Sequence, residues 1–255
     1  MSSPLDLASE LIRSFAVPAG PAESHHPRAG AAEPVRRGSR PRPALGDGIG
    51  FPPETRPRSG LLTTLRNRRS IRFFARDPIP AALLADIAAR GLADDEWWET
   101  EHGCCPLSVD VAAFRVTGLE PAFYHLDPLT RSFIAVASLP SGDAVRELTI
   151  QEEFCDAAAI TMITGDVEHA AQAHGGHGYR LLMSRAGAAA YAMWLDAVAS
   201  GLAGTVFAGF IPSSIRLPLH CDGSSRHQLF ALALGTPAEA ANGVAGGVRR
   251  QRRDT

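Results

Sequence analysis

The sequence predicts one domain that mixes helices with strands, and three stretches carry the prediction. Residues 178–212 are almost free of charge: from position 186 to 212 only Asp196 is ionised. The first two thirds read as a helix that is apolar almost all round, which predicts burial on every face. Residues 109–136 hold three short apolar segments divided by the turn sequences Gly118-Leu119-Glu120-Pro121 and Asp127-Pro128, the pattern of a strand meander. Residues 157–164 and 228–235 are continuous apolar runs of strand length, suited to the inside of a sheet.

The remaining elements follow from local pattern. Leu5, Leu7, Leu11, Ile12 and Phe15 recur at near-helical spacing and predict a short amphipathic helix. Residues 16–58 hold nine prolines and seven scattered arginines, with little apolar periodicity to offset chain entropy. Residues 1–58 are therefore expected to be a flexible segment, with the folded domain over 59–240 and a basic tail over 241–255. Ser59 is the expected cap of a helix over 60–67. A second helix starts at Pro80, ends near Gly91 and carries Leu83, Leu84, Ile87 and Ala88 on one face. Residues 93–106 read as a polar loop bearing Trp97 and Trp98, 142–156 as helical, and 167–178 as a loop rich in histidine and glycine. The run Ala186-Gly187-Ala188-Ala189-Ala190 lets another backbone come close, from the same chain or from a second copy. Gly201 and Gly204 end that helix, and 205–210 is a short buried strand.

Composition removes several kinds of function. A net charge of -2 gives no whole-molecule attraction to nucleic acid. Asp196 and two glycines interrupt the one long apolar stretch, so no membrane span is expected. Cys104, Cys105, Cys155 and Cys221 have neither zinc-knuckle nor CxxC spacing and read as free thiols of a reducing cytoplasm. No signal-peptide pattern opens the chain. All 25 basic residues are arginine. Schiff-base, Walker and acid–base lysines are thereby excluded, and an anion site must use arginine or backbone N–H groups.

One strip stands out, Arg68-Arg69-Ser70-Ile71-Arg72-Phe73-Phe74. Three arginines and a hydroxyl within five residues suit a phosphate. The interleaved Ile71, Phe73 and Phe74 predict that part of the strip is drawn inward, and a buried arginine needs an anion. His174, His177 and Tyr179 stand before the apolar helix, where an imidazole titrating near neutrality suits proton transfer. His169, His174 and His177 have no carboxylate or cysteine to complete a ligand set, so no metal is expected. Asp196 reads as a structural polar group or a cap.

Arg68-Arg69-Ser70-Ile71-Arg72-Phe73, followed by a proline and a helix, resembles the N-terminal signature of the FMN-dependent nitroreductase superfamily. The hairpin Glu120-Pro121-Ala122-Phe123-Tyr124-His125-Leu126-Asp127-Pro128 resembles that of its SagB-type branch. Gly178-Tyr179-Arg180 with the small-residue helix and Gly201-Leu202 is similar to that branch's central helix. Ala233-Leu234-Gly235-Thr236-Pro237 is similar to its closing strand. The resemblance implies an α+β fold, a mixed and mainly antiparallel sheet flanked by helices, with long central helices at a homodimer interface. It implies FMN, with Arg68, Ser70 and Arg72 at its phosphate and ribityl chain, Arg69 beside them, and Arg249 or Arg250 as a further basic residue after the last strand.

The SagB-type branch oxidises thiazolines and oxazolines to thiazoles and oxazoles in ribosomal peptide natural products. The expected partners are therefore a modified peptide substrate, a second copy of the chain and a cyclodehydratase, with no nucleic acid and no membrane. Hydride passes to the flavin while a base removes a proton, and oxygen reoxidises the flavin. Members of the branch usually carry a Lys-Tyr pair before Gly-Tyr-Arg; here Ala173 and His174 stand there. His174 and Tyr179 are thus the candidate catalytic residues. Two other readings stay open: an NAD(P)H-dependent reductase of nitro compounds or quinones, and a flavin-free scaffold for a peptide-modifying complex.

Overall fold

The computed structural model describes residues 44–96, 98 and 105–238. The predicted helix over 5–15 and the basic tail with Arg249 lie outside them. The described strands are β1 (Ile49–Gly50), β2 (Ile79–Pro80), β3 (Ser108–Ala113), β4 (Val116–Thr117), β5 (Ala122–Asp127), β6 (Ser132–Ser138), β7 (Ala159–Gly165), β8 (Ala203–Phe207) and β9 (His227–Gly235). The helices are α1 (Leu61–Asn67), α2 (Ala81–Leu92), α3 (Val167–His174), α4 (Gly178–Ala199) and α5 (Pro212–Ile215). Seven strands form one sheet in the order β1-β6-β5-β3-β7-β9-β8, every neighbouring pair antiparallel. β2 and β4 pair in parallel beside it. The architecture is α+β, as expected.

Period-two side-chain alternation divides the sheet's residues between two cores. Val109, Val111, Ile163, Leu232 and Leu234 join α2 and α4 on one face. Ala112, Ile160, Met162, Ala231 and Ala233 join Leu148, Phe154, Phe210 and Ile215 on the other. Covering both faces makes β7 and β9 read as apolar runs rather than alternating strands. The stretch 142–156, expected to be helical, is two 3-10 segments, Gly142–Leu148 and Glu152–Asp156.

Three local expectations change. The cap of α1 is Gly60, with no side-chain hydrogen bond, and Thr64 Oγ1 instead donates back to the Ser59 and Gly60 carbonyls. Chain pairing begins before Ser59: Leu45 N–H donates to the Ala135 carbonyl, β1 extends the sheet, and Ser59 N–H donates to the Ala199 carbonyl. Residues 167–174 are helical rather than a loop. Asp166 caps α3 by accepting the His169 N–H at 2.7 Å, and Gly175 breaks it at φ +58°.

The small residues of α4 have a partner in the same chain. Gly91 of α2 sits so close to α4 that a Cβ there meets Met193 Cγ and lies 3.1 Å from the Ala189 carbonyl oxygen. α4 is not buried all round, as its composition predicts. Ser184, Ala188 and Tyr191, at helical spacing, form an exposed face. No described helix is long and apolar enough to cross a membrane.

Candidate functional site

The arginine strip runs along the open edge of β8. Ser70 bridges Gly204 in parallel, Ile71 N–H donates to the Gly204 carbonyl, and Thr205 Oγ1 donates to the Ile71 carbonyl at 2.6 Å. Extended pairing sends alternate side chains to opposite sides. Phe74 is buried and Ile71 half-buried, while Arg68, Arg69, Ser70 and Arg72 are exposed. The expected burial of the strip therefore holds for Phe74 and in part for Ile71, and fails for Phe73 and for the arginines, which face outward.

Arg68 is nevertheless held. Its Nε donates to Tyr191 Oη at 2.9 Å. Its guanidinium lies 5.8 Å from the Tyr191 ring centroid and 5.6 Å from that of Trp194, within cation–π range. Tyr191 and Trp194 are three apart on α4, so they share a face. That spacing was available in the sequence, where it is hidden by a helix that reads only as apolar. Trp194 is 8% exposed, and its indole N–H is buried with no acceptor among the described residues. Its Cδ1 lies 3.3 Å from where a Cβ on Gly204 would stand, so the indole edge rests over the backbone that pairs with Ser70. Arg72 meets Glu153 only at 4.0 Å. The exposed guanidinium groups of Arg68, Arg69 and Arg72 are donors suited to an anion.

The expected catalytic residues sit at the other end of α4. His174 closes α3, its ring edge-on to Trp98 at 6.2 Å, and Tyr179 in the first turn of α4 is edge-on to His227 at 6.3 Å. Twelve residues separate Tyr179 from Tyr191, about 18 Å of helix. One chain does not bring the two groups together.

A second constellation escaped the sequence reading. After α2 the chain turns Asp94, Asp95 and Trp98 onto α4, with Asp95 N–H donating to the Leu92 carbonyl and Trp98 N–H to the Asp95 carbonyl. Arg185 of α4 grips Asp95 with two bonds of 2.7 Å, donates a third at 3.0 Å to the Cys105 carbonyl, and lies 4.9 Å from the Trp98 ring centroid. The partners are 90 residues apart, beyond the reach of any local pattern.

The described cysteines, Cys105, Cys155 and Cys221, are buried free thiols. Burial, with the nearby Asp110 charge, pushes the Cys221 thiol up to about 11, and burial also raises that of Cys155. The described residues hold no group of three or more His, Cys, Asp or Glu side chains arranged for a metal ion.

No curated protein matches the sequence. In backbone the chain is similar to a provisionally assigned nitroreductase from Ralstonia eutropha (TM-score 0.54, 20% identity, 80% of this chain and 97% of that one). It is also similar to another from Anabaena variabilis (TM-score 0.58, 20% identity, 70% of this chain), of whose length it spans 38%. Residues 65–236 match the nitroreductase family model, a span that takes in the arginine strip, the whole of α4 and the closing strand, and the chain belongs to the nitroreductase family.

Proposed function

We propose that this chain is an FMN-dependent oxidoreductase that oxidises azoline rings of a modified peptide to azoles. The observation that carries the flavin is the outward-facing strip of Arg68, Arg69, Ser70 and Arg72, with Arg68 held against Tyr191 and Trp194. These residues fit a phosphate: the guanidinium groups match its charge and geometry, and Tyr191 pre-orients one of them. Bound FMN supplies the hydride acceptor. The substrate reading rests on the sequence resemblance of the 120–128 hairpin and the α4 entrance to the SagB-type branch.

The working unit is a homodimer. Leu61 and Leu62 of α1, the helix that packs beside α4, are each more than 60% exposed, an apolar surface of the kind that marks an interface. A two-fold pairing of α4 helices running in opposite directions sets the Arg68 end of one copy against the His174–Tyr179 end of the other. That pairing closes the 18 Å gap within one chain and brings a proton acceptor to the flavin. His174, at the position of the branch's Lys-Tyr pair, takes the proton as the ring loses its hydride; Tyr179 positions the ring.

The test is turnover of a thiazoline-containing peptide by the FMN-loaded protein under air, followed by mass spectrometry. Loss of two hydrogens from the peptide is expected, with His174→Ala at least a hundredfold slower. Unchanged peptide, together with rapid bleaching of the flavin by NADPH, would replace this reading with a nitro or quinone reductase.

A further inference from the structure

The arginine strip is fastened to the sheet by backbone at both ends and by one side chain between them. At its start Ile71 N–H donates to the Gly204 carbonyl at 3.2 Å, beside the Ser70–Gly204 bridge. At its end Ala75 N–H donates to the Thr236 carbonyl at 2.9 Å, and Phe74 bridges Pro237. Between them the Ile71 carbonyl accepts the Thr205 hydroxyl at 2.6 Å. Thr205 is 6% exposed, and its backbone lies in β8, in register with Ala233 of β9. A parallel ladder continued past Gly204 would give the Ile71 carbonyl to the next N–H along β8, that of Val206. The Ser70–Gly204 bridge is instead isolated, and a side chain holds that carbonyl. Burial records the same departure. In a continued strand Ile71 and Phe73 share a side; here Ile71 is half-buried, Phe73 is 68% exposed and Phe74 is buried. The strip leaves the strand path between Ile71 and Phe74, and Arg72 lies in that bend.

We infer that Thr205 is the positioning residue of the arginine strip. Its hydroxyl bond to the Ile71 carbonyl stops the ladder there and fixes the backbone that carries Ser70 and Arg72. A binding constellation needs its donors held to within about 0.5 Å, which long side chains achieve only on a fixed backbone. Arg68 is held separately, by Tyr191 and Trp194, so loss of the hydroxyl falls on Ser70 and Arg72. Thr205 acts through Ile71 and is not itself a ligand. This role deepens the proposed function and rests on it for the ligand, a flavin phosphate.

Two variants of the full chain separate the hydroxyl from the shape of the side chain. Thr205→Val keeps the branched shape and loses the donor, whereas Thr205→Ser keeps the donor. In the flavin-free protein, hydrogen exchange of peptides covering residues 68–75 should quicken about fivefold to tenfold in Thr205→Val and stay at the wild-type rate in Thr205→Ser. Circular dichroism and exchange in β7 and β9 should match wild type in both. FMN and riboflavin, which differ by the phosphate, are then titrated by fluorescence quenching. Thr205→Val should bind FMN about fivefold to tenfold more weakly, with riboflavin affinity changed less than about twofold, and Thr205→Ser should restore FMN affinity. Unchanged exchange or unchanged FMN affinity in Thr205→Val, equal loss of both flavins, or a loss shared by Thr205→Ser overturns the inference. A wild-type chain that takes no FMN strikes the proposed function, and the flavin-free exchange then decides whether Thr205 holds the strip.

Discussion

Arg58 shows how much a single residue outside a predicted boundary can hold. It donates to Asp196 Oδ1 at 2.7 Å and to Asp86 Oδ2 at 2.6 Å. Arg90 and Arg131 reach the same Asp86 carboxylate, whose side chain is only 3% exposed. The network ties the segment before α1 to α2, α4 and the β5–β6 turn. It also accounts for Asp196, which reads from sequence as an isolated polar group in an apolar helix; a partner 138 positions away cannot be read from spacing. Removing Arg58 leaves a buried carboxylate short of a partner, and Arg58→Ala should cost about 3 kcal/mol in urea unfolding. Burial pushes the Asp86 carboxyl up, but the hydrogen bonds and charges of Arg90 and Arg58 outweigh it and hold the group below its ordinary value. With a folded value below the unfolded one, the stabilisation is complete above the ordinary carboxylate range. It is lost as pH falls through the depressed folded value. Wild type should therefore lose its stability advantage over Arg58→Ala below about pH 4, as measured by urea midpoints across pH. A constant difference down to pH 2 would contradict this.

At the scale of elements, legibility followed burial. β7 and β9 were readable as continuous apolar runs, and β3, β5 and β6 as a meander of short, loosely alternating segments divided by turn sequences. α3 was not, because His169, His174 and the glycines at 175, 176 and 178 mask an eight-residue helix whose one clear signal is the Asp166 cap. The small-residue run of α4 correctly announced a close approach, and α2 of the same chain is the neighbour found there. The contact is tight enough to test. Gly91→Val presses a branched side chain onto Met193 and the Ala189 carbonyl, and should destabilise the fold by about 1–3 kcal/mol. Met193→Ala in the same chain should recover part of that loss. Additive losses in thermal unfolding would show that Gly91 and Met193 do not share this space.

For the whole molecule, the sequence made the arginine strip legible and left its setting obscure. Charge-rich spacing picked out Arg68, Arg69, Ser70 and Arg72, but whether arginines next to Ile71 and Phe74 turn in or out depends on pairing with Gly204, which only the fold supplies. The same holds for Tyr191 and Trp194, whose role beside Arg68 depends on α4 lying along that edge. His174 and Tyr179 lie about 18 Å of helix away in one chain, so the proposed chemistry requires two copies. Sedimentation should find a dimer, and Leu62→Glu with Leu65→Glu on α1 should shift it toward monomer and lower turnover together. A fully active monomer would break the link drawn between assembly and catalysis.

If the strip holds an FMN phosphate, flavin titration monitored by fluorescence quenching will register it. Saturable binding of one FMN per chain is expected, with affinity lowered about tenfold to a hundredfold in each of Arg68→Ala and Arg72→Ala as a charge-assisted bond is lost. Binding that is absent in the wild type, or unchanged in both variants, would contradict it.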